Sequence, residues 1–214
     1  MGLPLLAITA LAALAGAVAL VPGPGERRAR VARWTGLGLG AWLAVYAGVL
    51  VAVSLASEER VLAPGAPKRF CGAYLDCHLG VEVVGVERNG ALGEGPGRIE
   101  AEGEFHVVTV AVSSDARRAT LALRHPRAVV RDGAGTEHER NSAAEAALGG
   151  PWPSLSDPVA AGEKRAVRLV FDLPADVPAP RLHVTEGSRI ERLVECVLIG
   201  DEDSLLHAPV ALEL

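Results

Sequence analysis

The sequence predicts an all-β sandwich domain that is preceded by a transmembrane α-helical hairpin. Two apolar runs without a charged residue lie near the N-terminus and flank an arginine-rich stretch, as two membrane helices and their loop would. The rest of the chain alternates between short apolar segments and turns rich in glycine and proline, which indicates a sandwich or a barrel.

These patterns set the expected boundaries of the chain. Residues 1–22 form the first transmembrane helix and residues 23–34 a cytoplasmic, arginine-rich loop. Residues 35–57 form the second transmembrane helix, 58–69 a linker with two prolines and a glycine, and 70–214 the extracytoplasmic sandwich.

The second apolar run, 35–57, is the stronger of the two spans. It holds no charged residue and exceeds the roughly 20 residues that a helix needs to cross a bilayer. Small residues recur along it at every fourth position, and such a stripe lets two helices approach closely in lipid. We therefore expect the first helix to pack on this stripe, which comprises Gly36, Gly40, Ala44, Gly48 and Ala52.

The first apolar run, 2–21, is expected to be an uncleaved transmembrane helix. No basic residue precedes it, whereas a secretory signal peptide normally begins with one. The alternative is a cleaved signal peptide, with a small-residue cleavage site between Ala15 and Ala19.

Four arginines between the two runs predict the orientation in the membrane. Short loops rich in positive charge stay in the cytoplasm, so both termini and residues 58–214 face the other side. The arginines are Arg27, Arg28, Arg30 and Arg33.

The charge distribution limits the partners of the outer part. The chain carries a net charge of −5, of which residues 1–57 contribute +3 and residues 58–214 therefore −8. This acidic balance argues against nucleic acid or anionic lipid as the main partner of the outer domain.

Period-two alternation predicts most strands of the outer domain, and one alanine-rich stretch, 141–148, predicts a short helix. The expected strands lie at 81–86, 105–113, 119–124, 128–132, 167–173, 182–185, 193–199 and 209–214.

Several turn and packing residues resemble those of bacterial telokin-like, immunoglobulin-fold extracytoplasmic domains of unknown function. The matching positions are Gly162, Glu163, Val170, Phe171, Asp172 and Pro174, with Glu104-Phe105 and the turn at 129–133 upstream. The resemblance covers most of 78–214 and implies an immunoglobulin-like (telokin-like) β-sandwich in a bacterial envelope. The two apolar runs and the arginines between them predict, independently of the resemblance, a multi-pass protein of the plasma membrane. Because these residues shape turns and core, the resemblance implies a fold and no activity.

The chain has three cysteines, and Cys71 and Cys77 are expected to form a disulfide outside the cytoplasm. A bond from either one to Cys196 is the alternative, although the alternation around Cys196 favours a buried, apolar thiol. A second alternative is a zinc or copper site built from Cys71, Cys77, His78 and His207, which would make the chain a metal-handling or redox protein.

A candidate binding surface is assigned to Trp152 and to Asp201, Glu202 and Asp203. Trp152 lies between two prolines and is either a plug over the core or an exposed contact. The three acidic residues form either a solvated loop or a calcium site.

No nucleophile elbow, phosphate-binding loop or zinc-protease motif is present in the sequence. Four other histidines, at positions 106, 125, 138 and 183, have no carboxylate at a telling spacing. We therefore expect a protein without catalytic residues, metal or cofactor. It is held in a lipid bilayer, and its outer sandwich binds a protein partner of the envelope or a small ligand.

Overall fold

The computed structural model describes residues 2–19, 26–72 and 76–214. The chain divides into two compact units. A helical unit comprises Met1–Glu59 and Ile190–Pro209, and a β unit comprises Arg60–Arg189 and Val210–Leu214. The described residues form four α-helices, which are α1 (Gly2–Ala19), α2 (Glu26–Leu55), α3 (Ser142–Ala147) and α4 (Arg189–Glu195).

Helix α2 is the longest element of the helical unit. Its 30 residues rise about 45 Å at 1.5 Å per residue. By length and composition, Arg28–Leu55 is the one described helix long and apolar enough to cross a membrane, and Pro4–Ala17 of α1 is a shorter apolar helix.

The boundary of α2 corrects the predicted loop at 23–34. The helix begins at Glu26, so the positions of Arg27, Arg28, Arg30 and Arg33 fall in its first turns, and it ends at Leu55 instead of Ser57. Arginine has a high helix propensity, so nothing in this stretch opposes the helix. The predicted turn around Pro22 lies outside the described residues.

Helix α1 packs on α2 through contacts with residues outside the predicted stripe of small residues. Trp42 Nε1 donates to Thr9 Oγ1 at 3.1 Å, and a Cβ at Gly16 would lie 2.8 Å from Leu39. A Cβ added at Gly40 or Gly48 would meet nothing within 4 Å, so that part of the stripe is open. The close approach of the two helices is therefore made by a glycine of α1.

The β unit contains nine strands among the described residues. They are β1 (Arg60–Leu62), β2 (Lys68–Gly72), β3 (Asp76–Leu92), β4 (Ile99–Ser114), β5 (Arg127–Arg131), β6 (Glu137–Glu139), β7 (Lys164–Leu173), β8 (Arg181–Thr185) and β9 (Val210–Glu213).

The strands form a five-stranded sheet in the order β1-β9-β8-β5-β6 and a four-stranded sheet in the order β2-β3-β4-β7. Strand β1 pairs parallel with β9, and the other pairs are antiparallel. The sheets share one core, which makes the unit a β-sandwich. Its members include Val83, Val110, Leu169 and Phe171 from the four-stranded sheet, and Val130, Leu182 and Leu212 from the five-stranded sheet.

A second, smaller core lies on the outer face of the four-stranded sheet. There Phe105, Val107 and Val170 pack against Ala144 of α3. Both faces of β4 are therefore buried along part of its length, which explains why this strand reads as a nearly continuous apolar run.

Three expected elements differ from the structure. The predicted linker 58–69 contains β1 and the start of β2, because β1 pairs with the distant β9. The predicted strand 119–124 is reduced to one bridge, between Leu121 and Val159. The predicted strand 193–199 is occupied by α4 and the turns after it, and its residues belong to the helical unit.

Candidate functional site

Trp152 is a large aromatic residue that lies exposed on the surface of the β unit. It follows α3 after two glycines with positive φ, Gly149 (67°) and Gly150 (83°), a conformation that turns the chain sharply at the end of a helix. The side chain is 46% exposed. Trp152 is therefore not a plug over the core, and its ring is exposed as the other interpretation requires.

Arg168 of β7 determines where the indole lies. This arginine alternates with the core residues Val167 and Leu169, so it stands on the outer face of the four-stranded sheet. Its guanidinium carbon lies 4.5 Å from the centre of the Trp152 ring, within range of a cation–π interaction. Arg168 Nη2 also lies 3.6 Å from Glu87 Oε1 of β3.

Helix α3 fixes the loop that carries Trp152. Asn141 caps the helix, since its Oδ1 accepts from the Ala144 N–H at 3.0 Å. Glu145 Oε1 accepts from the Val170 N–H at 3.1 Å and also pairs with Arg140. The helix is thus bonded to β7 on the same sheet face from which Arg168 projects.

A second charged group lies on the same face of the sheet as Arg168. Lys164 forms an ion pair with Glu82, whose side chain is largely buried. The outer face of the four-stranded sheet therefore presents an aromatic ring together with arginine, lysine and glutamate. We call Trp152, Arg168 and Glu87 the tryptophan patch.

The predicted disulfide is present and links Cys71 of β2 with Cys77 of β3. Beside it, Asp115 Oδ1 lies 2.5 Å from His78 Nδ1, and Asp115 Oδ2 accepts from Arg69 Nη1 at 2.5 Å. These hydrogen bonds from His78 and Arg69 lower the pKa of the Asp115 carboxyl.

This arrangement contradicts the alternative metal site at Cys71, Cys77, His78 and His207. Both sulfurs are bonded to each other, so neither is a thiolate ligand. His207 belongs to the helical unit, where its Nδ1 lies 2.8 Å from the Ala208 carbonyl oxygen. Within the ranges that the structure describes, no three histidine, cysteine, aspartate or glutamate side chains are grouped to hold a metal ion.

The acidic residues Asp201, Glu202 and Asp203 lie in the helical unit, whereas Trp152 lies in the β unit. The single surface predicted for these four residues is therefore divided between two units. Asp201 Oδ1 accepts from the Asp203 N–H at 3.0 Å, so one carboxylate of the cluster is engaged in its own turn.

Cys196 is a free thiol directly after α4, and its residue is half-buried instead of buried in a strand. Its Sγ lies 3.0 Å from the Leu193 carbonyl oxygen.

Besides His78–Asp115, sequence reasoning missed two further histidine–carboxylate pairs in the β unit. His106 Nε2 lies 3.5 Å from Glu104 Oε2, and His138 Nε2 lies 3.3 Å from Asp132 Oδ2. Burial, reinforced by Arg88, lowers the pKa of His106 despite the opposing effect of Glu104. The His106–Glu104 pair could have been predicted from the sequence, because residues two apart on a strand share a face.

No protein-family model matches this chain. No curated protein matches it either. A conserved hypothetical protein from Bacillus anthracis is 16% identical, with 55% of this chain and 89% of that chain covered and a TM-score of 0.43. A secreted protein from Mycobacterium tuberculosis is 13% identical, with 74% and 100% covered and a TM-score of 0.42.

An uncharacterised β-sandwich protein from Clostridium difficile is 6% identical, with 74% of this chain and 95% of that chain covered and a TM-score of 0.38. These similarities are too distant to transfer a ligand or an activity to this chain.

Proposed function

We propose that this chain is a membrane-anchored bacterial envelope protein whose outer sandwich binds a protein partner without catalysis. The observation that carries the proposal is the tryptophan patch, an exposed indole that an arginine holds against a rigid sheet. In this proposal the sandwich is of the immunoglobulin-like (telokin-like) type, and helices α1 and α2 form a transmembrane hairpin in the plasma membrane.

The anchor and the disulfide support the outward placement. Helix α2 is long enough to cross a bilayer, and its first turns carry the four arginines that favour the cytoplasmic side. The Cys71–Cys77 disulfide of the β unit is a feature of oxidising compartments such as the bacterial periplasm. Both observations favour the same side of the membrane for the sandwich.

The composition and geometry of the patch favour a protein partner. Tryptophan and arginine are the residues most enriched at the energetic centres of protein interfaces. Stacking on Arg168 restricts the indole before any partner arrives, which lowers the entropy cost of binding. Within the patch Glu87 supplies a polar group, and the Lys164–Glu82 pair adds charged groups on the same sheet face, as is typical of the polar rim of an interface.

Site-specific photo-crosslinking in native membranes tests this proposal. A benzophenone amino acid is placed at the exposed Pro151, next to Trp152, in the full chain. We expect one discrete protein adduct, which W152A and R168A weaken at least about tenfold, as a hot-spot loss of 1.4 kcal/mol or more requires.

The matched control carries the benzophenone at the exposed Glu94, in a loop of the same unit. The proposal is wrong if Pro151 gives no adduct, if Glu94 gives the same adducts, or if the adduct persists unchanged in W152A.

A further inference from the structure

The segment 190–209 lies alongside the last three turns of α2, where hydrogen bonds of three side chains hold it in place. Tyr46 Oη donates to the Val197 carbonyl oxygen at 2.6 Å, and Ser57 Oγ accepts from the Ala208 N–H at 2.7 Å. Between these two contacts, the hydroxyls of Ser54 and Ser204 lie 3.2 Å apart in a buried position. We call residues 190–209 the returning segment.

The contacts set the depth of the returning segment along α2. Tyr46 precedes Leu55 by nine residues, so the Val197 contact lies about 14 Å before the end of the helix. The charge-free part of α2, Thr35 to Leu55, is about 30 Å long, which is also the thickness of a bilayer hydrocarbon core. A bilayer that surrounds this part of α2 must also meet the returning segment.

The returning segment exposes large apolar side chains, whereas a segment that faces water exposes mainly polar ones. Several of its exposed residues are large and apolar, whereas Glu191, Glu195, Asp201 and Glu202 are partly buried. The exposed fractions are 76% for Ile190, 68% for Leu193, 42% for Val194, 55% for Leu205 and 59% for Leu206. A contiguous patch of exposed apolar residues marks a surface that contacts a protein or a membrane.

The spacing along α4 and the turn after it gathers four apolar residues of this surface into one face. Ile190, Leu193, Val194 and Val197 follow the i, i+3, i+4, i+7 pattern of a single helix face. Asp203 adjoins Ser204, which contacts Ser54 near the end of α2, so its charge lies close to the headgroups, and the exposed Arg192 can extend its side chain toward them. The occupant that fits is the acyl-chain boundary of the lipid leaflet around the outer end of α2.

We infer that the returning segment inserts into the outer leaflet, with Leu193 of α4 and Leu205 in contact with lipid acyl chains. The inference rests on the proposed membrane placement of α2. The chain therefore contacts the bilayer twice. It does so first through α1 and α2, and again through the returning segment, which lies between β8 and β9 in the sequence.

Lipid quenching tests the inference on the full chain, reconstituted in phosphatidylcholine vesicles with and without brominated acyl chains. Single cysteines are introduced into a C196S background and labelled with bimane, while the Cys71–Cys77 disulfide stays oxidised. The test variants are L193C and L205C. The references are V45C on α2 and V84C on the sandwich, which are exposed apolar positions of 59% and 49%.

We expect brominated lipid to quench the bimane at positions 193 and 205 about as strongly as at 45, and to leave position 84 unchanged. Quenching at 45 without quenching at 193 and 205 overturns the inference and leaves the anchor intact. Absence of quenching at 45 as well overturns the membrane placement of α2, and the inference with it. Labels at 193 and 205 that are unquenched by lipid but shielded at high protein concentration assign this surface to a second copy and also overturn the inference.

Discussion

Asp172 shows what the residues that resemble those of telokin-like domains do in this chain. Its carboxylate accepts from the backbone N–H groups of Glu102 at 2.8 Å and Gly103 at 3.0 Å, and so ties β4 to the end of β7. Gly162 adopts a φ of 75° in the turn before β7, and Phe171 is completely buried. These residues stabilise turns and core, which is why the resemblance predicts a fold and is silent on function.

Gly103 of β4 provides a prediction for the same contact between β4 and β7. A Cβ there would lie 2.1 Å from the Leu173 carbonyl oxygen, which is backbone and moves only with its strand. We expect G103A to lower the free energy of unfolding of the full chain in detergent by about 1–3 kcal/mol, as overpacking does. The matched control is G90A in β3, where a Cβ meets nothing within 4 Å and stability should change little. An unchanged thermal midpoint for G103A would contradict the close approach.

His106 gives a pH prediction with a defined sign. Its side chain is 2% exposed, and burial lowers its pKa in the folded protein. As the pH falls through about 6.5, the unfolded chain takes up a proton that folded His106 does not, so the free energy of unfolding falls. We expect H106Q to show a smaller loss of thermal midpoint between pH 7.5 and 5.5 than the wild type. The exposed H125Q should keep the wild-type loss, and equal losses in all three proteins would refute the assignment to His106.

Among the elements, the strands with strong local patterns were predictable. The run Val167 to Leu173 alternates cleanly and forms most of β7, and the alanine-rich stretch 141–148 contains α3. Strand β1 was missed because its three residues are ordered by pairing with β9 at the far end of the chain, which local patterning does not encode. The prediction of a strand at 193–199 was wrong because a short apolar run is compatible with the period of a strand and with that of a helix. Ile190, Leu193, Val194 and Val197 have helical spacing, and the stretch forms part of α4 and the turns after it.

For the candidate site, only the part that depends on local spacing could be predicted from the sequence. The Cys71–Cys77 pair could be expected from spacing and compartment, because a short loop allows the sulfurs to meet. The exposure of Trp152 could not be predicted, because its ring lies against Arg168 of β7, and local patterning does not encode that contact.

The disulfide yields a prediction for the β2–β3 hairpin. On the loop-entropy model, closing so short a loop stabilises the folded state by about 2 kcal/mol. We expect C71S/C77S in the full chain to lower the thermal midpoint accordingly, and reductant to have the same effect on the wild type. C196S removes the one free thiol and should leave the midpoint unchanged. A midpoint in C71S/C77S equal to the wild type would show that the hairpin does not depend on the bond.

For the whole molecule, the arginines at the start of α2 predict a single orientation. Replacing Arg27, Arg28, Arg30 and Arg33 by alanine removes the positive charge that holds this end in the cytoplasm. We expect a fraction of the chains to invert, so that their sandwich is protected from protease added to spheroplasts. The matched variant with four lysines keeps the charge and should keep the wild-type digestion. Full digestion of the alanine variant would mean that another feature sets the orientation.

The display of the sandwich outside the cytoplasm is the central claim, and cysteine accessibility in intact spheroplasts tests it most directly. In the C196S background, E94C labels the exposed loop of the β unit and R30C the exposed start of α2. We predict that a membrane-impermeant maleimide modifies E94C in intact spheroplasts and R30C only after permeabilisation. Modification of R30C in intact spheroplasts, with E94C protected until permeabilisation, would contradict the account.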